Sequence, residues 1–345
     1  MSILTQRHRT AASNPDPSSP GLRGTPSTTT ISRRGMMLRG GAIAGAAAAF
    51  PAPAISQGIR EFKMATSWPK GTAGLSSSAE RIGQAITAAT GKRIQVRVFA
   101  AGELVKALEV FDAVSGGVVD MYHSADYYWE RRSPAFNFFT TVPFGFIADE
   151  LAAWIHLGGG QELWDELSAN YNIKPLLSGN SGAQMGGWFT KEVTGPESYA
   201  GLKYRMPGLG GEVLRRLGAT VVTLGGGEIV PALRSGAIDA SEWVGPWNDM
   251  QLGLHKVSKF YYYPGFHEPG TGVTIGINKS LWDSLPAEDR NVITTGWQRP
   301  NTPFRWPSST LTMQNSCRSS ARTRTSKSEN STIRFSRRWV RPAAR

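Results

Sequence analysis

From residue 60 to residue 298 the spacing of apolar positions keeps changing. In 61–68 (EFKMATSW) polar and apolar residues alternate, which predicts a strand. In 74–91 (GLSSSAERIGQAITAATG) apolar residues recur at helical spacing and the run stops at Gly91. The same reading predicts a strand over 93–100, a helix over 104–117 with Leu104, Leu108, Phe111 and Val114 on one stripe, and a strand over 118–124. A helix is expected over 148–171, broken at Gly158–Gly160. Strands then fall at 174–180, 186–191 and 201–207, a helix at 211–218, a strand at 220–224, a helix from 227 that ends at Gly236, and a strand at 272–280. Near 284–298 a further helix begins, with Ser284 as N-cap and Pro286 and Glu288 in its first turn. Repeated strand–helix units imply an α/β fold with mostly parallel sheets covered by helices. The length of this body suits two lobes, with a ligand cleft between them at the strand ends.

The two ends do not share this patterning. Residues 1–31 are rich in Pro, Ser and Thr, and Ser32-Arg33-Arg34 leads into a Gly/Ala/Met/Leu stretch over 35–50. Ala52-Pro53-Ala54 then offers a small-x-small cleavage pattern, so residues 1–54 are expected to be an N-terminal extension and secretory signal of twin-arginine type. The apolar run is short and interrupted by Arg39, which argues against a membrane anchor. Of the 47 residues from 299 to 345, 25 are Ser, Thr or Arg, and no helical or strand period survives. Two readings of this tail stand: a basic interaction tail, or a reading-frame error. Three units follow: 1–54, a two-lobe solute-binding body over 55–298, and an aberrant tail over 299–345.

Charge changes the picture once it is placed. The formal net charge is +12, which first suggests nucleic acid or a membrane surface. Residues 55–298 carry 21 Lys and Arg against 24 Asp and Glu, so the basicity belongs to the two ends. No nucleic-acid partner is expected, although a polyanion-binding tail remains a third reading. The single cysteine, Cys317, lies in the tail and excludes a disulfide framework or a cysteine metal site.

Few catalytic signatures survive inspection. The glycine clusters 157–161, 208–212 and 224–228 match neither G-x-x-x-x-G-K-[ST] nor G-x-G-x-x-G, and read as turns and helix caps. His8, His123, His156, His255 and His267 show no metal-like spacing, and no G-x-S-x-G occurs. The protein is therefore not expected to be an enzyme. Other residues suggest binding. Arg205 ends a short strand before a Pro-Gly turn, where it could grip a carboxylate through two parallel hydrogen bonds or make an ordinary ion pair. Gln184, in GNSGAQMGGW, lies among small residues that admit a ligand or simply form a turn. Tyr127 and Tyr128 follow a strand and could line a cleft or pack a loop. Glu242, in GAIDASEWVGPW, is a carboxylate in apolar surroundings and needs a partner.

The stretches MATSWPKG, VFAAGELV, FDAVSGGVVDM, VPFGF, GNSGAQMGGWF, GLKYRMPG, GAIDASEWVGPW and YYYPGFHEPG occur in that order over about residues 62–295. Together they resemble the periplasmic solute-binding proteins of tripartite ATP-independent (TRAP) transporters. The likeness is to the branch for 2-oxo acids such as pyruvate, which also carries a mannitol/chloroaromatic transport label. The resemblance implies a cleft cation, sodium or calcium, that bridges to a bound 2-oxo or 2-hydroxy acid. Carried over, Gln184, Glu242, the Trp243 carbonyl and Glu268 surround that cation; hard cations take such oxygen donors. Arg205 holds the acid's carboxylate, with Gln184, Glu242, Trp243 and Tyr127 or Tyr128 completing the substrate contacts. The implied partners are the small carboxylate and the TRAP permease subunits in the membrane, and the implied location is the periplasm. The rival reading is a metal-assisted enzyme acting on a 2-oxo acid. Two departures stand out. His267 occupies a place where an aromatic is expected, and the tail replaces a C-terminal helix that often makes a dimer contact, which sets the altered C-terminus against a homodimer.

Overall fold

The computed structural model describes residues 58–295 and a three-residue strand at 334–336. The expected signal over 1–54, and the tail apart from that strand, lie outside the described residues.

One sheet has the strand order β2-β1-β3-β10-β4, built from β1 (Arg60–Thr66), β2 (Ile94–Phe99), β3 (Met121–Ser124), β4 (Ile173–Asn180) and β10 (Gly272–Asn278). The strands β1, β2 and β3 run parallel, as expected. The strand β10 runs antiparallel to both β3 and β4. The second sheet orders β9 (Phe260–Tyr262), β5 (Gly187–Phe189), β8 (Ala240–Ser241), β6 (Lys203–Arg205) and β7 (Thr220–Val222). There β5 is antiparallel to both β8 and β9, while β6 is parallel to β7 and β8. Both sheets are thus mixed, not mostly parallel. The reason is the path of the chain: it leaves the first sheet at β4, builds the second, and returns through β10.

Helices cover the sheets. Helix α1 (Ser76–Ala89) buries Ala79, Ile82 and Ile86 against Met64, Ile94, Met121 and Ile275 of the first sheet. Burial of each of these isoleucines and methionines contributes about 1.5–3 kcal/mol. Helix α2 is shorter than expected and spans Val110–Ser115. Leu104, placed on its stripe by spacing, is 42% exposed. Residues 100–109 instead make a tight turn, in which Glu103 Oε2 accepts from Ala100 N at 2.9 Å and Gly102 adopts a φ of +87°. The break at Gly158–Gly160 is real: α3 (Ala148–Leu157) and α4 (Gly160–Ala169) flank Gly159, whose φ is +82°. In the second lobe α5 (Gly208–Arg216) and α6 (Gly226–Ser235) flank β7, and α6 ends at Gly236 in the left-handed region, as expected. Helix α7 (Pro246–Leu252) follows Gly245. Helices α8 (Lys279–Ser284) and α9 (Ala287–Thr295) return to the first lobe.

The tail contributes a strand that sequence patterning did not predict. Arg334–Ser336 (β11) pairs in parallel with β9 at the edge of the second sheet. An edge strand presents free backbone donors and acceptors, so a short extended segment pairs there without any side-chain period.

The lobes touch in several places. A shared apolar cluster joins Trp68, Leu75 and Tyr127 of one lobe to Trp188, Ile229 and Trp243 of the other. Asn248 Nδ2 of α7 donates to Ala73 O at 2.6 Å, and Ala73 N donates to Gln251 Oε1 at 3.0 Å.

Candidate functional site

Among the described residues, four carboxylates are 0–1% exposed: Asp126, Asp249, Glu242 and Glu268. Hydrogen bonding separates them into two kinds. Asp126 Oδ1 accepts from Tyr122 Oη and its Oδ2 from Trp164 Nε1, both at 2.9 Å. Asp249 Oδ2 accepts from Tyr261 Oη at 2.8 Å and Trp188 Nε1 at 3.1 Å, while Oδ1 accepts from Val244 N at 3.0 Å. Burial pushes Asp126 up to about 6 and Asp249 up to about 7. Every oxygen of these two is used inside the protein, so they are structural.

Glu242 and Glu268 each have one oxygen engaged and one without a hydrogen-bond partner. Glu242 Oε1 accepts from Arg205 Nη1, leaving Oε2 unpartnered. Glu268 Oε2 accepts from Thr271 Oγ1, leaving Oε1 unpartnered. Gln184 repeats the pattern: its Nε2 donates to Ser181 Oγ at 3.0 Å and Thr271 Oγ1 at 3.1 Å, and its Oε1 has no partner. Thr271 therefore orients both Gln184 and Glu268. An unpartnered buried acceptor costs about 1–3 kcal/mol, so three such oxygens call for an occupant.

Arg205 sits at the end of β6, with 0% of its surface exposed. Its Nε donates to Leu224 O at 3.0 Å, its Nη1 to Glu242 O at 3.3 Å as well as to the Glu242 carboxylate, and its Nη2 to Tyr128 Oη at 3.2 Å. A guanidinium has five N–H donors, so one remains. The two-pronged grip on a ligand anticipated for Arg205 is thus largely occupied by Glu242 and Tyr128. Burial would lower the Arg205 pKa, and Glu242 together with Tyr128 and Tyr127 outweighs it, so the group stands above its ordinary value and stays charged.

The aromatic candidates gather at the same place. Tyr127 packs edge-on to Tyr128 with ring centroids 4.8 Å apart. The Trp243 indole lies 5.5 Å from the Arg205 guanidinium carbon and 6.2 Å from Trp68. Gly226 opens α6 beneath it, where a Cβ would stand 2.5 Å from the indole.

His267, noted in the sequence only as a departure from the family pattern, joins the site. It is 1% exposed, and neither ring nitrogen has a hydrogen-bond partner. Its Nε2 lies 3.8 Å from Glu242 Oε2 and 4.0 Å from Glu268 Oε1. Donor atoms of Glu242, His267 and Glu268 all fall within 4.8 Å of one another. The 25-residue gap between Glu242 and His267 hides this grouping from any spacing rule; the sole signal was an imidazole adjacent to Glu268. Burial would depress His267, and the two carboxylates outweigh it, so its pKa stands above the ordinary value. Burial, and then the charge of Glu242, pushes Glu268 up to about 7. An apolar cavity of about 730 Å³ lined by Phe138, Phe139, Phe146, Trp154 and Leu163 shares no residue with this cluster.

The site combines a buried cation, two carboxylates, an amide oxygen and an imidazole. That set can hold a metal ion and a small anion. The fit to a cation rests on the unpartnered acceptors.

Comparison with known proteins agrees with the fold. The family described as bacterial extracellular solute-binding protein, family 7, matches residues 64–302. The chain is 45% identical over 240 residues to a monocarboxylate 2-oxoacid-binding periplasmic protein of a Nostoc species, covering 70% of this chain and 66%, just under two thirds, of that relative. It is similar to a TRAP periplasmic solute-binding protein from Pseudoalteromonas atlantica with bound sodium and pyruvate, at 34% identity and a TM-score of 0.73, covering 81% of this chain and 83% of that one. It is also similar to a TRAP transporter solute-binding protein from Bordetella bronchiseptica, a mixed-occupancy dimer with copurified calcium and picolinate in the active site of one form, at 33% identity and a TM-score of 0.71, covering 80% of each chain. The matched family and these relatives are solute-binding proteins, not enzymes, and the chain belongs to family 7 of the bacterial extracellular solute-binding proteins, among the two-lobe receptors of TRAP transporters.

Proposed function

We propose that this protein captures a small 2-oxo or 2-hydroxy monocarboxylate through a bridging cation and delivers it to a TRAP permease in the membrane. The observation that carries the reading is the set of unpartnered buried oxygens of Gln184, Glu242 and Glu268 beside the buried Arg205. Calcium or sodium held there supplies positive charge for an acid that chelates through its carboxylate and 2-oxygen. In this reading Gln184, Glu242, Glu268 and the Trp243 carbonyl are cation ligands. The remaining Arg205 N–H and the Tyr127–Tyr128 pair receive the acid's carboxylate. The sodium and pyruvate of the Pseudoalteromonas relative, and the calcium and picolinate of the Bordetella one, support this ligand class.

The receptor acts outside the cytoplasm, with residues 1–54 as a twin-arginine export signal and 55–298 as the binding body. The tail from 299 is a reading-frame error in the gene, and resequencing its 3′ end tests that directly. Homodimerisation enters the reading through the Bordetella relative alone. The test of function is a tryptophan-fluorescence titration with pyruvate after chelation, with and without added calcium or sodium. A saturable change that needs the cation is expected. Silence toward pyruvate and a panel of 2-oxo and 2-hydroxy acids, in a protein that still melts cooperatively, would sink the ligand class.

A further inference from the structure

We propose that His267 is a nitrogen ligand to the cation, and that it turns the site toward borderline divalent metals such as zinc. This rests on the cation-bridged reading above and goes beyond it, because an all-oxygen set favours hard ions whereas imidazole favours the later first-row metals.

Four observations carry the inference. Each neighbouring acceptor is tied by one atom and free by the other: Gln184 by Nε2, Glu242 by Oε1 and Glu268 by Oε2. The free oxygens of both carboxylates are the ones closest to His267 Nε2, at 3.8 and 4.0 Å. Those separations are too long for hydrogen bonds and suit atoms that share an ion between them. His267 is also held in place: a Cβ on Gly210 would stand 2.6 Å from the His267 Cβ, so helix α5 presses directly on this residue. Finally, in the form that binds a metal, with both carboxylates ionised and His267 neutral, two carboxylates and a bound monocarboxylate against one guanidinium leave two negative charges uncompensated in a buried centre. A divalent ion neutralises both, and sodium only one.

The experiment titrates the chelator-stripped full chain with zinc alone and with calcium alone by calorimetry, in the wild type and in His267→Phe, His267→Gln and Glu242→Gln. The wild type is expected to bind zinc at least tenfold more tightly than calcium. Either His267 variant is expected to lose at least tenfold in zinc affinity while its calcium affinity moves less than threefold. The comparison between variants removes zinc taken up elsewhere on the chain, and two replacements of different polarity, each with a melting curve, guard against a single misfolded protein. Zinc affinity unchanged in both His267 variants, or calcium preferred by the wild type, would overturn the inference while Glu242-dependent calcium binding left the cation reading standing. Absence of any Glu242-dependent cation binding would overturn both.

Discussion

Arg205 and Glu242 form an ion pair in which neither side chain is exposed to solvent. Each needs the other, because a lone charge at either position would be buried without compensation. Arg205→Met is therefore expected to destabilise the protein by about 3–5 kcal/mol, as loss of one partner of a buried pair does. Adding Glu242→Gln should recover a substantial part of that loss, since no unpaired charge remains. Urea denaturation of both single variants and the double variant measures the coupling; simple additivity would show that the pair does not act as a unit.

Thr271 touches no ligand in this reading, yet its hydroxyl accepts from Gln184 and donates to Glu268. Thr271→Val keeps the shape and removes both bonds. Outer-shell losses of this kind lower metal affinity about 10–100-fold. Calcium titration should show a drop in that range at unchanged stoichiometry. A change below threefold would remove Thr271 from the positioning role.

Gly226 is small because Trp243 lies against it. Gly226→Ala puts a methyl group 2.5 Å from the indole and must push it away from Arg205 and Trp68. A destabilisation of about 1–3 kcal/mol is expected from such overpacking. It should come with altered tryptophan emission and weaker acid binding. Normal emission with normal binding would show that the indole has room to move.

His123 gives a pH signature away from the site. Burial, with the charge of Arg81 second, lowers its pKa to about 3 from an ordinary 6.5, and it accepts from Trp68 Nε1 at 2.7 Å as a neutral ring. The unfolded chain takes up a proton below 6.5 that the folded chain refuses, so stability is full above 6.5 and falls as pH drops toward 3. Asp126 and Asp249, raised to about 6 and about 7 from 3.8, act oppositely and add stability as pH falls through those values. Comparing wild type with His123→Gln isolates the histidine. The stability advantage of the wild type should shrink by about 2 kcal/mol between pH 7 and pH 5. A gap that stays constant would place the His123 pKa near its ordinary value.

Much of this was legible in the chain. The αL stop at Gly236, the break at Gly159 and most strands follow from periodicity and punctuation, because those signals are local. The helix expected from 104 begins only at Val110, because Leu104 is apolar without being buried, and apolarity alone cannot say which. The antiparallel β10 could not be read either, since strand direction depends on where the chain has been in the meantime. At the site, Gln184, Arg205, Glu242 and Glu268 were each singled out, and they do meet. Their division into an acid-holding arginine and cation-holding glutamates missed the direct Arg205–Glu242 bond. It also missed His267 and Thr271, whose roles exist only after loops 80 or more residues apart in sequence from Gln184 close on one point.

The placement of β10 between β3 and β4 has a consequence for how the protein comes into being. Strands β1 to β4 leave the ribosome long before the strand that joins β3 to β4. The second lobe, by contrast, takes its sheet strands β5 to β9 from one uninterrupted run of sequence, and only the edge strand β11 follows β10. The strands β5 to β9 of the second lobe can therefore assemble while the first lobe waits, and the first sheet closes only after that whole run has been made. Contacts of such long sequence separation slow folding. The half-made lobe, with the facing edges of β3 and β4 unpaired, is the state that a nascent chain must keep from aggregating.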